Sequence, residues 1–487
     1  MTNVNLFCGI DLGTQGARCI FADGRGHIAA EGEAEFGEAS FRKDERFEQK
    51  PREWLAALGR SLRDAVSCLK RTARVEDVCA IGVTSTSGTL CVLDDAYNPL
   101  CPAMMYSDSR SREEAQAVQK AAGDLTDRLG YRFKPSFALP KILWLKNHRP
   151  ELFEKASIFT SPTDLVIGWL TGSWGTTDQT NALKYGYDLL ENRWPGFIEH
   201  NLGVPRDKLP QVTTTGDRVG ELQPRRAKAL GLPPGVPVAA GLTDGCAAQV
   251  SSGAVNPGDF NTTIGTTLVI KGVTNRLLVD PLGRIYCHRH PNGWWLPGGA
   301  SNTGAECLAR EFGDQETRER SPRAASLSPT SLVAYPLVGT GERFPFVSAE
   351  AEGFLIGQPA SRNELFAAYL EGVACVERLA FETLEEMGAD LGDRVYSAGG
   401  GAQSESWLQI RADVLQKRVL RPEVTGAAMG AAIVAAAMGR YEDIPEAAGR
   451  MVRIESEKTP RPEQAEVYEA KYRKFVAACD NRGYLDG

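Results

Sequence analysis

The sequence lacks the marks of several protein classes. Its 11 cysteines include no Cys-x-x-Cys pair, so we expect neither a zinc site nor a dithiol redox motif. No apolar run approaches the length of about 20 residues that a membrane helix needs, and residues 1–6 do not resemble a signal peptide. Acidic residues outnumber basic ones, 62 to 55, which argues against nucleic acid as a partner. We therefore expect a cytoplasmic protein with reduced core cysteines and no nucleic-acid or membrane partner.

The length of the chain predicts two domains. A chain of 487 residues, 42% hydrophobic and 24% charged, is longer than one hydrophobic core usually serves. Residues 51–70 have apolar side chains at helical spacing, and residues 78–84 are an apolar run typical of a buried strand. Strands that alternate with helices predict an α/β fold with mixed sheets. Pro257 and Gly258 suggest a boundary, so we predict domains at 1–254 and 255–487.

Two distant segments share one pattern. Residues 7–21 read FCGIDLGTQGARCIF and residues 260–270 read FNTTIGTTLVI. Each is an apolar run, a Gly-Thr turn and a second apolar run, and such a turn can direct amide groups and a hydroxyl at an anion. Two of them in one chain indicate a nucleotide held by two similar domains, and hence phosphoryl transfer or an ATP-driven switch. By contrast, residues 314–328 are rich in Arg, Glu and Ser, which suggests a surface excursion or a loop-rich insertion.

Two aspartates have positions suited to phosphoryl transfer, which needs a metal ion near a carboxylate and a base near the acceptor hydroxyl. Asp11 ends the first predicted strand, immediately before the turn, where it can reach Mg²⁺ or accept the N–H groups of the turn. Asp244 follows a strand predicted at 236–241, precedes Gly245 and opens the next helix. Asp244 is thus either a catalytic base or the N-cap of that helix.

Further motifs complete a resemblance to a known family. Residues 399–407 read GGGAQSESW, residues 341–346 read GERFPF, and residues 106–110 read YSDSR. With the two hairpins and the Asp-Gly pair, these motifs resemble the FGGY family of carbohydrate kinases nearly from end to end. The loop at 82–89, GVTSTSGT, looks most like the D-ribulose kinase branch, which is also described as xylulokinase-like.

The resemblance implies a fold, cofactors and site residues. The fold would be two actin-like ATPase (ribonuclease H-like) domains, with mixed sheets flanked by helices and a cleft between them, and the cofactors would be ATP and Mg²⁺. In that family the residue matching Asp244 is the catalytic base, and the residue matching Asp11 lies beside the metal ion. The expected nucleotide contacts are Gly13, Thr14 and Gln15 in the first hairpin, Gly265, Thr266 and Thr267 in the second, Gly304 beside it, and Gly400, Gly401 and Glu405 at the adenosine.

The resemblance also places the acceptor sugar. Ser87 would contact the sugar, with Asp244 and Gly245 beside it, while Asp108 and Arg110 bind either the sugar or each other. Many relatives have Gln and His in the loop that here contains short hydroxyl side chains, each of which can donate and accept a hydrogen bond. We therefore expect a kinase of a small free ketopentose, most of all D-ribulose.

Several alternatives stay open. Within the same chemistry, the acceptor is xylulose, another small sugar or a polyol. A different class is an actin-like ATPase switch or a non-catalytic nucleotide-binding regulator. Because relatives often dimerise, a homodimer is also open.

Overall fold

The computed structural model describes residues 5–37 and 40–485. The chain forms two compact units. The first contains the described residues up to Ser251, together with His288–Gly293 and Gly426–Val452. The second contains Ser252–Cys287, Trp294–Thr425 and the described residues from Arg453 onward. Each unit has a mixed sheet with helices against it, so the predicted α/β class is confirmed. Within the described residues, no helix is long and apolar enough to cross a membrane.

The strands are numbered in chain order. They are β1 (Leu6–Leu12), β2 (Gly16–Asp23), β3 (Ile28–Glu35), β4 (Ser40–Lys43), β5 (Arg46–Gln49), β6 (Val78–Ser85), β7 (Cys91–Leu93), β8 (Ala103–Met104), β9 (Ile158–Thr160), β10 (Thr176–Asp178), β11 (Gln211–Thr213), β12 (Arg218–Glu221), β13 (Pro237–Ala239), β14 (Leu242–Thr243), β15 (Phe260–Ile264), β16 (Leu268–Gly272), β17 (Ile285–Arg289), β18 (Trp295–Ser301), β19 (Val333–Glu342), β20 (Ser348–Ile356), β21 (Arg394–Ala398), β22 (Arg418–Pro422) and β23 (Ile454–Lys458).

The α-helices are numbered in the same way. They are α1 (Pro51–Leu69), α2 (Arg112–Ala121), α3 (Leu125–Leu129), α4 (Ala138–His148), α5 (Pro150–Lys155), α6 (Pro162–Thr171), α7 (Gln179–Ala182), α8 (Gly196–His200), α9 (Pro224–Leu230), α10 (Asp244–Ser252), α11 (Glu306–Glu311), α12 (Gly313–Arg320), α13 (Ala324–Leu327), α14 (Arg362–Glu386), α15 (Glu405–Leu415), α16 (Ala427–Gly439), α17 (Ile444–Met451) and α18 (Ala465–Asp480). Short 3-10 helices lie at Val75–Asp77, Leu183–Tyr185, Arg206–Lys208, Ser321–Arg323, Gly400–Gln403 and Pro462–Gln464.

The main sheet of the first unit has the order β12-β13-β6-β1-β2-β3, with β14 also paired to β6. Both β1 and β14 run parallel to β6, so the carboxyl ends of these three strands meet at one edge. Helix α16 packs very closely on this sheet. A Cβ added at Gly9 of β1 would lie 1.9 Å from the carbonyl oxygen of Ala428, and one at Gly82 of β6 would lie 2.0 Å from that of Ala431. Glycine in the strands and alanine in the helix therefore permit this approach.

The second sheet has the order β17-β18-β16-β15-β21-β22-β23. β15 and β16 form the antiparallel hairpin that the sequence predicts, and β15 runs parallel to β21, with Thr263 opposite Ala398. The hairpin turn and Gly399 therefore follow adjacent strand ends. The long helix α14 begins after Ser361, whose hydroxyl accepts a hydrogen bond from the amide of Glu364, as the capping pattern predicts.

Two segments differ from the simplest interpretation of the sequence. Residues 314–328 are mostly helical rather than loop-rich, because pairs such as Glu316 and Arg320 (3.0 Å) support a helix that has no apolar face to reveal it. Residues 426–452, which include α16 and α17, belong to the first compact unit. The single boundary at 254/255 stays a prediction for the two domains.

Candidate active site

The edge where β1, β6 and β14 end carries the two candidate aspartates. Asp11 lies opposite Thr84 of β6, and Leu242 of β14 lies opposite the same Thr84 from the other side. Asp244 comes two residues after Leu242 and is the first residue of α10, as the sequence predicts. The register of three parallel strands thus brings together two carboxylates that are far apart in the chain.

Asp11 is a buried carboxylate in a crowded position, with 8% of its surface exposed. Burial, followed by the negative charge of Asp244, raises the pKa of Asp11 to about 6, against the opposing effect of Arg18. One oxygen, Oδ2, lies 3.6 Å from Nη1 of Arg18. The other oxygen, Oδ1, is buried without a hydrogen-bond partner among residues 5–37 and 40–485. A buried oxygen of this kind fits the predicted role of Asp11 at a metal ion, because a cation would supply the missing partner.

The first Gly-Thr turn joins β1 to β2, and hydrogen bonds to its carbonyl groups hold it in place. The amide of Gly13 donates to the carbonyl of Gly16 (3.0 Å). Nε2 of Gln49 donates to the carbonyl of Thr14 (2.8 Å), and the amide of Phe36 donates to that of Gln15 (2.9 Å). Gln49 is a site residue that the sequence analysis missed, since nothing local distinguishes this glutamine from others in the chain.

The predicted acceptor loop follows β6, and one of its hydroxyl groups is different from the rest. Oγ1 of Thr84 donates to the carbonyl of Leu242 (2.8 Å), Oγ of Ser85 bonds Oγ1 of Thr163 (2.6 Å), and the hydroxyls of Thr86 and Thr89 bond each other (2.9 Å).

Oγ of Ser87 is buried and has no such partner in the described part of the chain. Two lysines hold the backbone of the loop, since Nζ of Lys184 donates to the carbonyl of Ser87 (3.2 Å) and Nζ of Lys141 to that of Gly88 (2.9 Å). This arrangement agrees with a sugar contact at Ser87.

Asp108 and Arg110 bind each other. Nε and Nη2 of Arg110 donate to the two carboxylate oxygens of Asp108, at 2.9 and 2.6 Å. Oδ2 of Asp108 also accepts from the amide of Phe47, and Nη2 of Arg110 also donates to Glu48. Of the two roles that the sequence left open, mutual pairing is the one present, and sugar binding by this pair stays a prediction.

Asp244 begins α10 and is held at a defined position. Its Oδ1 accepts a hydrogen bond from the amide of Gly245 (2.7 Å). The backbone behind it approaches α16 closely, since a Cβ added at Gly430 would lie 1.9 Å from the carbonyl oxygen of Ala247 in α10. The backbone of α10 is thus held closely against α16, which supports the position of its first residue, and the role of Asp244 as a base stays a prediction.

In the second unit, the other Gly-Thr turn joins β15 to β16. The amide of Gly265 donates to the carbonyl of Thr267 (3.0 Å). The amides of Ala305 and Glu306 donate to the carbonyls of Gly265 and Thr266. A Cβ at Gly304 would lie 2.5 Å from the carbonyl oxygen of Thr266, whereas a Cβ at Gly265 would meet no atom within 4 Å. Gly304 thus supports the turn, and Gly265 leaves free space beside it.

Glu342, in the GERFPF motif, holds the loop that supports this turn. It is buried, and Oε1 accepts from the amide of Asn302 (2.6 Å). Oε2 accepts from the hydroxyls of Ser301 (2.7 Å), Thr303 (3.0 Å) and Tyr335 (3.0 Å). The GERFPF motif therefore contributes a carboxylate that fixes the chain leading into Gly304.

The GGGAQSESW motif borders a cavity of about 640 Å³ in the second unit. Its lining includes Gly400, Gly401 and Glu405, as the resemblance implies, and the helical segment around Thr317 and Ser321. The remaining lining residues are Ala305, Leu308, Ala309, Asp314, Arg318, Pro322, Phe366, Leu370, Gln403, Ser404, Ser406 and Trp407. A half-open pocket of this size, with largely apolar walls and a few polar groups, suits a nucleoside.

Glu405 lies at the border of this cavity with its carboxylate already engaged. Oε1 pairs with Nη2 of Arg421 (2.9 Å), and Oε2 pairs with Nζ of Lys458 (2.7 Å) and the hydroxyl of Ser456 (2.9 Å). The hydrogen bond from Lys458 is the main cause that lowers the pKa of Glu405. Contact between this carboxylate and adenine stays a prediction.

Comparisons with known proteins agree with the sequence resemblance. Residues 6–251 match a family model described as "FGGY family of carbohydrate kinases, N-terminal domain", and residues 261–439 match that of the C-terminal domain. The chain is 28% identical over 476 residues to a xylulose kinase of Bacillus subtilis (strain 168), covering 95% of this chain and 94% of that protein. It is 25% identical over 499 residues to a gluconokinase of the same organism, covering 96% and 94%.

A solved structure extends the agreement to the fold. The crystal structure of a xylulose kinase from Rhodospirillum rubrum matches with a TM-score of 0.85 and 26% identity, over 98% of both chains. The predicted resemblance and the predicted fold are both confirmed.

Proposed function

Because the chain belongs to the FGGY family of carbohydrate kinases, we propose that it transfers the γ-phosphoryl group of ATP to a hydroxyl of a small free ketopentose, D-ribulose in the first place. One observation carries the proposal. At a single sheet edge of the first unit, the carboxylates of Asp11 and Asp244 lie beside each other, and the buried, unbonded hydroxyl of Ser87 follows the neighbouring strand. A base, a metal-binding group and a sugar contact are the parts that this chemistry needs.

Asp244 acts as the base in this proposal. Its carboxylate takes the proton from the acceptor hydroxyl as the oxygen bonds to the γ-phosphorus, the bond to the bridging oxygen breaks, and ADP leaves. Asp11 would hold Mg²⁺ through its unbonded Oδ1, directly or through water. Bound Mg²⁺ would neutralise negative charge on the phosphates.

Each unit has its own candidate nucleotide-binding groups. In the first unit, the turn at Gly13, Thr14 and Gln15 would offer a hydroxyl and its amides to the phosphates, apart from the Gly13 amide, which bonds Gly16. In the second unit, Gly265, Thr266 and Thr267 would offer the same kinds of group, apart from the Gly265 amide, which bonds Thr267. The cavity beside Gly400 and Gly401 would receive the adenosine. The free space at Gly265 and at Gly400, where an added Cβ would meet no atom within 4 Å, supports this assignment.

D-Xylulose is the second candidate acceptor. The B. subtilis and R. rubrum relatives are both described as xylulose kinases. D-Ribulose and D-xylulose differ only in the configuration at one carbon, so the choice depends on which hydroxyl Ser87 contacts. The short side chains of the acceptor loop, Ser85 to Ser87, favour D-ribulose through the sequence resemblance.

A panel assay tests the proposal. ADP release is measured with Mg²⁺, ATP and each of a set of free ketopentoses, tetroses, aldonates and polyols, and NMR identifies the phosphorylated carbon of each product. We expect the highest kcat/KM with D-ribulose. A preference for D-xylulose would establish the second candidate, and ADP release that no acceptor stimulates would overturn the kinase proposal in favour of an ATPase switch.

A further inference from the structure

The strand that carries Asp244 is short and needs support from outside the sheet. β14 contains only Leu242 and Thr243, and in the described part of the chain its ladder pairs it with β6. The carbonyl of Leu242 accepts a hydrogen bond from the hydroxyl of Thr84 in β6 (2.8 Å). A strand of two residues forms few backbone hydrogen bonds to its neighbour, so a side-chain hydrogen bond to its backbone contributes much to holding it in place.

The amide of Thr243, directly before Asp244, donates to a side chain from another part of the first unit. Its acceptor is Oγ1 of Thr180, at 2.9 Å. Thr180 belongs to α7, 63 residues earlier in the chain, and it is buried. The hydroxyl of Thr180 in turn donates to Oδ1 of Asp178, at 2.6 Å. A continuous hydrogen-bond chain therefore runs from Asp178 through Thr180 to the peptide group next to Asp244.

Asp178 anchors this chain. It is buried, and its Oδ1 also accepts from the amides of Thr180 (2.8 Å) and Asn181 (3.1 Å), while Oδ2 accepts from Nδ2 of Asn181 (2.6 Å). Every one of these groups is a donor, so the carboxylate is oriented on both oxygens and acts only as an acceptor. Because the Thr180 hydroxyl has one hydrogen, its donation to Asp178 leaves its lone pairs for the amide of Thr243.

We propose that Thr180 and Asp178 are positioning residues for the catalytic carboxylate of Asp244. The inference rests on the proposed function, in which Asp244 is the base. Neither residue needs to touch substrate. Their hydrogen bonds fix the peptide group from which Asp244 extends, and a shift of about 1 Å in a reacting group can lower a rate about 100-fold.

The main test uses Thr180→Val, which keeps the shape of the side chain and removes both hydrogen bonds. We expect kcat with the best acceptor to fall about 10- to 100-fold, while the Kd of ATP stays close to the wild-type value. Thr180→Ser restores the hydroxyl and should recover most of the lost kcat. In an Asp244→Asn background, Thr180→Val should cause no further loss of residual transfer, because Thr180 acts through Asp244.

A matched control separates positioning from stability. Thr171 in α6 is also a buried threonine of the first unit, and its hydroxyl accepts from the amide of Ser173 (3.0 Å) and donates to the carbonyl of Ile167 (2.7 Å). Thr171→Val should lower thermal stability and leave kcat unchanged. Should Thr180→Val not fold, Asp178→Asn serves in its place, since its amide would face Nδ2 of Asn181 and disturb the anchor.

Different results would refute the kinase function and the positioning role of Thr180 and Asp178. A wild-type enzyme that phosphorylates no acceptor would refute the proposed function. A wild-type kinase whose Thr180→Val and Asp178→Asn variants keep full kcat, or lose no more than Thr171→Val, would refute the positioning role and leave the function intact. A kcat loss that adds to that of Asp244→Asn would also refute it.

Discussion

The carboxylate of Asp244 lies close enough to that of Asp11 for its negative charge to help raise the pKa of Asp11 to about 6. Burial of Asp11 is the larger cause. Two adjacent acidic groups at a buried strand edge repel each other when both are ionised. Structural carboxylates are normally arranged to avoid this. A bound cation would offset this repulsion, as the proposed metal role of Asp11 requires.

Asp11→Asn should separate metal use from fold stability. Removal of the crowded charge should stabilise the metal-free protein by about 1 kcal/mol at neutral pH, while the Mg²⁺ concentration that gives half-maximal activity rises at least about tenfold. Urea unfolding and Mg²⁺ titration of the rate measure the two effects. Glu33→Gln, which removes a nearby exposed carboxylate bonded to Arg18, is the control and should leave the Mg²⁺ dependence unchanged. Equal Mg²⁺ dependence in Asp11→Asn and wild type would contradict the metal role.

The raised pKa of Asp164 leads to a prediction of how the stability of the protein depends on pH. It is fully buried, and burial, followed by the charge of Asp178, raises its pKa to about 7. In the unfolded chain an aspartate titrates near about pH 4. Between these values the folded protein holds a proton on Asp164 that the unfolded chain releases, so the contribution of Asp164 to stability falls as pH rises from about 4 to about 7 and is constant above.

Asp164→Asn should remove this pH dependence. The variant keeps an oxygen acceptor for the amide of Ser161 without the charge. We expect it to match wild type near about pH 5 and to be more stable by roughly 2 kcal/mol at about pH 8. Urea unfolding at several pH values measures the difference, and a variant less stable than wild type at the higher pH would contradict it.

Two adjacent glycines should respond differently to alanine. A Cβ at Gly400 would meet no atom within 4 Å, whereas one at Gly401 would lie 2.8 Å from Cβ of Ile264. Gly400→Ala should therefore fold normally and weaken ATP binding, because its methyl group would occupy space in the cavity proposed for the adenosine. Gly401→Ala should lower thermal stability first. Calorimetric titration with ATP and thermal melts measure the two effects, and normal ATP affinity in Gly400→Ala would place the nucleoside elsewhere.

Glu342→Gln tests whether the loop that Glu342 holds supports the Gly-Thr turn between β15 and β16, which is proposed to bind phosphate. The substitution replaces one acceptor oxygen with a donor that faces other donors, among them the hydroxyls of Ser301 and Thr303. We expect the KM for ATP to rise several-fold with a smaller change in the KM for sugar. Ser361→Ala removes a helix cap in the same unit and should reduce stability by about 1 kcal/mol without that effect. A change confined to the sugar KM would contradict this account.

The sequence predicted local features well and long-range partners poorly. Helix α1 and both hairpins follow from apolar spacing and turn residues, which act over a few positions. The association of α16 with the first sheet depends instead on Gly9 and Gly82, more than 300 residues earlier in the chain, as the contacts of their added Cβ atoms indicate. No local pattern encodes such a pairing.

The candidate site shows the same difference between local features and long-range partners. The placement of Asp11 near the end of β1 and of Asp244 at the start of α10 was predictable because each lies in a motif at a strand end, and their roles stay predictions. Thr180 was not, since its segment has the form of an ordinary helix cap and its partner, Thr243, is 63 residues away. Residues that support a site from a distance carry no sequence signal beyond their polarity.

The most direct test of the account is single-turnover transfer by Asp244→Asn, which keeps the size of the side chain and the bond that Oδ1 accepts from Gly245. With ATP, Mg²⁺ and the best acceptor, we predict that the rate of sugar phosphate formation falls by at least about 100-fold, while the Kd of ATP stays near the wild-type value. A variant that binds ATP normally and transfers at the wild-type rate would contradict the assignment of Asp244 as the base.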